Sequence, residues 1–166
     1  VEQSLARHGV RPIERLHRLG LLGPGLIGVH AVHLDEREIA LLAENNCAVA
    51  HCPTSNMKLA SGAAPTALLA KRGVRIGLGT DGAASNNRLD LFQEMRHAGL
   101  LAKVTSGDAA VLNAHELLRM ATLNGAAALG MEDRIGSIKP GKAADLCAIR
   151  LDALETLPCF DPASHL

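Results

Sequence analysis

Apolar positions along the first hundred residues follow two alternating periodicities. Three short runs rich in β-branched and small apolar residues are typical of buried strands, and they occupy residues 26–34, 47–53 and 74–80. Each is followed by a segment with apolar residues at helical spacing, at residues 35–46, 64–73 and 89–104. Strands that alternate with helices indicate parallel βαβ units, so the pattern predicts an α/β fold with three successive strand–helix units.

Local signals refine the boundaries of these elements. Residues 1–22 predict two helices, the second beginning at Pro12, because proline is favoured at the first helical position. Asp35 is the expected N-cap of the helix over 35–46. The polar stretches 54–62 and 81–88 are predicted to be loops that follow strand ends, on the side of the sheet where α/β enzymes place their sites.

The pattern changes after residue 107. The stretch 108–131 predicts two further helices. Residues 135–152, "IGSIKPGKAADLCAIRLD", predict a hairpin, with Pro140-Gly141 as the central pair of a type II turn and a strand over 144–151. We therefore expect this tail to leave the α/β layer and begin a small β element.

Composition excludes several classes of partner. Lys+Arg and Asp+Glu both number 17, so the net charge of zero argues against binding to nucleic acid or to an anionic membrane. An aromatic content of 1% leaves no platform for base stacking, and no apolar run is long enough to span a bilayer. The four cysteines form no C-x-x-C pair, which favours a reduced, cytoplasmic protein.

Asp81 is the strongest single candidate for chemistry. It stands in "GLGTDGAASNN" (77–87), where an apolar strand gives way to a polar loop. A carboxylate in this position can bind a divalent metal or accept a proton from metal-bound water. The alternative is an Asx-turn or an N-cap ahead of the next helix, and the spacing alone leaves both open.

Histidines near the other strand ends give weaker candidates. His33 closes the run 26–34 and could contact a reacting group, whereas His30 is three residues earlier and is expected to face the opposite side as a packing residue. His51 and Cys52 could form a nucleophile pair, but adjacent strand residues point to opposite faces, which argues against it.

Ser55 and Asn56, in the loop predicted over 54–62, have two interpretations. Their side chains could contact a substrate, or they could make only turn hydrogen bonds. The sequence leaves both open.

The order of the motifs is more specific than any one of them. A strand-end His followed by "HCPTSNMKLASG", "GLGTDGAASNN" and "GSIKPGKAADL" resembles the amidohydrolase superfamily of metal-dependent hydrolases. Within it, the series resembles the methylthioadenosine/S-adenosylhomocysteine deaminases and their triazine chlorohydrolase relatives. The resemblance covers essentially the whole chain, and "PGKAADL" supports the superfamily without indicating a substrate.

The resemblance implies a fold and a set of roles. The fold is a (β/α)8 TIM barrel with a small β-sandwich, so 1–133 would carry its last three strand–helix units and 134–166 the start of a sandwich segment. Asp81 would be the metal ligand and proton acceptor after strand eight, and His33 the strand-six residue that contacts the substrate. One divalent metal per subunit is implied, most simply Zn2+.

The resemblance also shows what this chain lacks. The superfamily uses a His-x-His pair after strand one and a His-x-x-Glu arrangement after strand five. The eight histidines include no His-x-His, and the chain is expected to start just past the strand-five position. We therefore expect a fragment of a longer enzyme that is inactive by itself. For the parent, three interpretations stay open: an adenosine-type nucleoside deaminase, a triazine chlorohydrolase or guanine/cytosine-type deaminase, and a non-catalytic partial chain. A small heterocyclic substrate and a homo-oligomer are the expected partners.

Overall fold

The computed structural model describes residues 1–165, which fold as helices packed on a small parallel sheet. None of the helices in this range is both long and apolar enough to cross a membrane. The elements in chain order are α1 (Glu2–His8), α2 (Pro12–Arg18), β1 (Ile27–Val29), α3 (Glu36–Glu44), β2 (Ala48–His51), α4 (Pro53–Lys58), α5 (Thr66–Lys71), β3 (Arg75–Leu78), α6 (Leu91–Ser106), α7 (Ala114–Ala121), α8 (Leu123–Ala128), a 3-10 turn (Leu154–Thr156) and α9 (Pro162–His165).

The three predicted strands form one sheet in the order β1-β2-β3. Both neighbouring pairs are parallel, with Ile27 opposite Ala48 and Val49 opposite Ile76. Parallel strands need a crossover between them, and α3 and α5 lie in the two crossovers. The α/β class and the parallel sheet are therefore confirmed.

One face of the sheet carries the main apolar core. Val49 and Ile76 are at most 3% exposed and belong to a cluster with Ile39 and Leu42 of α3 and Leu69 of α5. Full burial of one such side chain stabilises a fold by about 1.5–3 kcal/mol. This cluster fixes the helices of both crossovers on the same layer of the sheet.

The opposite face accommodates α8 at close range. Gly77 follows Ile76 and so points away from the main core. A Cβ placed on Gly77 would lie 3.0 Å from Cα of Gly125 and 3.9 Å from Cβ of Ala128. The absence of a side chain at Gly77 is thus what allows the backbone of α8 to approach β3.

A buried carboxylate fixes the connection that follows β1. Asp35 caps α3 as predicted, accepting from the Glu38 backbone N–H at 2.8 Å within a reciprocal capping box. Glu38, 2% exposed, also accepts from the Arg11 guanidinium at 2.7 Å. Arg11 donates to the His33 carbonyl as well, so the start of α2 holds the segment between β1 and α3.

Two local expectations were wrong. Part of the predicted loop 54–62 is helical, because Pro53 occupies the first position of α4, where its fixed φ suits a helix. Residues 144–151 form no strand: no neighbouring strand lies beside them within residues 1–165 to pair with their backbone. The turn at Pro140-Gly141 does form, with φ of 89° at Gly141.

We predict that Gly77→Ala destabilises the fold by about 1–3 kcal/mol, because the added methyl group presses on backbone atoms of α8, which cannot rotate away. Urea unfolding followed by circular dichroism measures the change. Gly23→Ala is the matched control, since a Cβ at Gly23 meets nothing within 4 Å. Equal stabilities of the two variants would contradict the close-packing account.

Candidate active site

Polar side chains from all three strand ends meet at the carboxyl edge of the sheet. His30 directly follows β1, Ser55 and Asn56 lie on α4 just after β2, and Asp81 follows β3 by three residues. Parallel pairing places these ends at one edge, which is where open and closed α/β sheets build their sites. The structure brings these four residues together in one cluster.

Asp81 is held by three hydrogen bonds. Its Oδ2 accepts from the Ser55 hydroxyl at 2.7 Å and from the Ser85 hydroxyl at 2.8 Å. Its Oδ1 accepts from the Gly82 backbone N–H at 2.7 Å. A carboxylate offers about four acceptor positions, so one position on Oδ1 is left for a proton or a cation.

Asp81 has the turn geometry that one interpretation of its motif predicted, and its role as a metal ligand and proton acceptor stays a prediction. Its φ of 58° is left-handed, and the bond to Gly82 is a local turn contact. Yet the same carboxylate is bound across the edge by Ser55 of α4, which no local turn requires. The turn geometry thus serves to point the carboxylate toward the other strand ends.

The hydrogen bonds hold Asp81 in its ionised form. They lower the pKa of Asp81 from 3.8 to about 2, and the bond from Ser55 contributes most, followed by those from Gly82 and Ser85. Hydrogen bonds that donate to a carboxylate favour the charged state. Asp81 is consequently an anion throughout the physiological pH range.

His30 faces Asp81. Its Nδ1 lies 2.9 Å from Oδ1 of Asn56, an oxygen that only accepts, so Nδ1 donates and Nε2 is free to face the cluster. Nε2 lies 3.7 Å from Oδ2 of Asp81, and the His30 side chain is 41% exposed. The imidazole of His30 and the carboxylate of Asp81 thus lie side by side, and both are partly exposed.

The packing role expected for His30 was wrong. β1 ends at Val29, and both His30 and Ala31 adopt positive φ, at 68° and 52°. The strand alternation on which that expectation depended therefore stops before His30. His33 is exposed and its carbonyl is bound by Arg11; its catalytic role stays a prediction, and it is His30 that the structure brings to Asp81.

His51 and Cys52 do not have the properties of a nucleophile pair. Burial raises the pKa of the Cys52 thiol to about 11, with Asp81 and Glu94 adding to the effect, and the thiolate is the reactive form. Burial also lowers the pKa of His51 to about 4, assisted by the charge of His30. His51 is 1% exposed, and its two ring nitrogens have no hydrogen-bond partner among residues 1–165.

A buried polar layer lies beneath the cluster, and no pattern in the sequence indicated it. The carboxylate of Glu94, on α6, is 0% exposed and accepts from the Thr54 backbone N–H and from Nδ2 of Asn86. Asn86 also donates to the Thr80 carbonyl at 2.8 Å. Glu94 lies in an ordinary amphipathic helix pattern, so no periodicity signal marks it.

The chain's own residues fit one position of a metal site. The free acceptor position of Asp81 Oδ1 and its stable negative charge suit a divalent cation. Across the described range, however, no three His, Cys, Asp or Glu side chains are grouped as a complete metal site. A catalytic zinc normally has three protein ligands.

The chain belongs to the Amidohydrolase family, whose model matches residues 1–164. It is 49% identical over all 166 residues to 5-methylthioadenosine/S-adenosylhomocysteine deaminase of Teredinibacter turnerae, and it covers 38% of that protein. The resemblance to this family and to its methylthioadenosine/S-adenosylhomocysteine deaminases is confirmed.

Two solved structures are also similar. An adenosine deaminase from Xanthomonas campestris with bound zinc is 52% identical with a TM-score of 0.96, over 99% of this chain and 37% of that one. Atrazine chlorohydrolase from Arthrobacter aurescens, complexed with zinc, is 33% identical with a TM-score of 0.90, over 96% and 36%. The chain thus spans well under half the length of these relatives.

We predict that Ser55→Ala raises the pKa of Asp81 from about 2 toward its ordinary value of 3.8, because it removes the largest stabilising hydrogen bond. The ionised form of Asp81 is then lost at a higher pH as the solution is acidified. Titration of the 13C-labelled Asp carboxyl resonances by NMR measures this shift.

Ser61→Ala, at an exposed position after α4, is the control and should leave the titration unchanged. Identical Asp81 midpoints in Ser55→Ala and the unmodified protein would show that the Ser55 contact does not hold the charge.

Proposed function

We propose that this chain is part of a metal-dependent amidohydrolase that deaminates adenosine-type nucleosides, such as 5'-methylthioadenosine and S-adenosylhomocysteine. One observation carries the proposal: Asp81 is held as an exposed anion that faces His30 at the carboxyl edge of a parallel sheet. Two of the relatives above are named as deaminases of such nucleosides, which supports this substrate class.

A triazine substrate is less favoured. Identity to the atrazine chlorohydrolase is 33%, against 49% and 52% for the two nucleoside deaminases. All three matches extend over nearly the whole chain, so the difference does not come from coverage. We therefore place this chain with the nucleoside deaminases.

The proposed architecture follows the family. We propose that β1, β2 and β3 are strands six to eight of a (β/α)8 barrel, which three strands cannot close. Residues 134–166 would begin a small β domain whose strands pair outside this chain. The boundary at 133, a cytoplasmic location and a homo-oligomeric assembly stay predictions.

Asp81 would hold a divalent metal through Oδ1, and zinc is bound in both of the similar solved structures. The other ligands would come from outside this chain. When bound, zinc supplies a nucleophile at neutral pH, since it lowers the pKa of water to about 7. It also makes the site sensitive to chelators.

The role of Asp81 in moving a proton follows from its negative charge. Water adds to the ring carbon that bears the amino group, and the electron pair of the C=N bond moves onto the ring nitrogen. The water's proton passes to Oδ2 of Asp81, which is freed when the Ser85 hydroxyl donates to the Gly82 carbonyl, 3.3 Å away, in its place. Because the pKa of Asp81 is about 2, the carboxyl holds that proton only briefly. The proton is then given to the amine. The bond from carbon to that amine breaks and ammonia leaves with the bonding pair, while the pair on the ring nitrogen re-forms the C=N bond and the ring carbon keeps the hydroxyl group.

His30 would position the reacting groups. With Nδ1 bound to Asn56, its Nε2 faces Asp81 and could hydrogen-bond the attacking water. Because Nδ1 donates to Asn56, the neutral imidazole presents Nε2 as an acceptor for an O–H of the attacking water. We propose that His30 fills the role predicted for His33.

We predict that, in the protein as its gene encodes it, Asp81→Ala loses bound metal and turnover together, because it removes a ligand. His30→Ala should keep the metal while kcat falls by about 10²–10⁴-fold, the usual range for an acid–base group. His33→Ala should change neither. Ammonia release from 5'-methylthioadenosine and metal content by mass spectrometry measure the outcome.

Asp133→Ala, at an exposed turn position, controls for loss of one carboxylate. If His33→Ala lowered turnover and His30→Ala did not, the assignment of the two histidines would be reversed. If Asp81→Ala kept full turnover, the proposed function would fall.

We also propose that these 166 residues, produced by themselves, are inactive. Asp81 and His30 supply too few ligands for a catalytic zinc, as the described residues hold no larger group. We predict that the purified chain binds less than one zinc per molecule in equilibrium dialysis and releases no ammonia. Stoichiometric zinc together with turnover would refute this.

A further inference from the structure

Glu94 lies between α4, which carries Ser55, and the loop 81–88, which carries Asp81. Its Oε2 accepts from the Thr54 backbone N–H at 3.1 Å, in the first turn of α4. Its Oε1 accepts from Nδ2 of Asn86 at 2.7 Å, in the loop 81–88. One carboxylate therefore links the helix that carries Ser55 to the loop that carries Asp81.

The links continue directly to the reactive carboxylate. Thr54 precedes Ser55, whose hydroxyl donates to Asp81 at 2.7 Å. Asn86 donates to the carbonyl of Thr80, the residue that precedes Asp81, at 2.8 Å. Each path from Glu94 thus reaches Asp81 through two intermediate residues, Thr54 and Ser55 on one side and Asn86 and Thr80 on the other.

We propose that Glu94 is a positioning residue for Asp81: its buried carboxylate sets the distance between Ser55 and Asp81 and so the direction in which Oδ1 points. The geometric part of this proposal stands on the contacts alone. Its consequence for turnover rests on the proposed function above.

The chemistry of the two contacts requires a carboxylate. Both partners are N–H donors that cannot accept a hydrogen bond, and Glu94 meets them with two acceptor oxygens. A glutamine would present one oxygen and one NH2 group, so one donor would face another donor. Glu94→Gln therefore breaks one link with almost no change in volume.

The cost of burial also indicates a role in geometry. Glu94, Asn86 and Ser55 are each at most 1% exposed, and no cation is among the hydrogen-bond partners of Glu94 in residues 1–165. A buried anion is expensive, and an apolar side chain of similar size often stabilises a fold as well. The carboxylate gains its advantage from the two directed bonds.

Hydrogen–deuterium exchange tests the geometric part in the protein as its gene encodes it. Glu94→Gln should raise amide exchange about tenfold in segments 54–58 and 80–87, because loss of a buried hydrogen bond opens structure locally. Glu44→Gln, the same change at an exposed position, should leave both segments unchanged. Unchanged exchange, or an equal increase along the whole chain, would overturn the proposal.

A double-mutant cycle tests the consequence for Asp81. If Glu94 acts through Ser55, the variant Glu94→Gln/Ser55→Ala should have the kcat of the weaker single variant, with KM within about twofold. Multiplied losses would show that Glu94 acts elsewhere and would overturn the proposal. If Asp81→Ala kept turnover, the proposed function would fail and the exchange result alone would decide the positioning role.

Discussion

The parallel pairing of β1, β2 and β3 is the constraint on which the rest of the structure depends. It brings three chain segments that are far apart in sequence to one edge, and each adds a polar group there. The apolar cluster around Val49 and Ile76 holds the crossover helices in place, while Gly77 lets α8 cover the other face. The positions of the polar groups at the carboxyl edge thus depend on how the helices pack on the sheet.

The electrostatics of the edge are arranged in two layers. The upper layer holds Asp81 ionised and accessible, with His30 beside it. The lower layer is buried and made of directed hydrogen bonds around Glu94 and Asn86. Burial raises the pKa of the Cys52 thiol and lowers the pKa of the His51 imidazole, so both side chains are neutral. Cys52 and His51 therefore add no charge to the buried part of the site, where Glu94 is the charged group.

Much of this organisation could be predicted from the sequence. The alternation of periods predicted the parallel sheet, and the capping signal placed the start of α3 at Asp35. The choice between His30 and His33 could not be predicted, because alternation is a property of regular strands and β1 ends one residue before His30. Glu94 was missed since burial of one carboxylate on a helix depends on contacts with segments remote in sequence.

The stretch 144–151 also shows that local sequence does not determine structure without contacts to remote segments. Its pattern is that of a strand, but pairing partners decide whether a strand forms, and none lies beside it within residues 1–165. Propensity for extended structure is thus a weaker guide in the tail than in the sheet, where three strands satisfy one another.

The left-handed backbone at Asp81 restricts which acids could serve there. Aspartate tolerates φ near 58° because its short side chain can bond to its own turn, as it does with Gly82. Glutamate carries the same charge but lacks that local bond and is poorly suited to this backbone. During evolution this backbone would accept aspartate or asparagine at position 81 and disfavour glutamate. Aspartate and glutamate are therefore not interchangeable here, although substitution tables treat them as near equivalents.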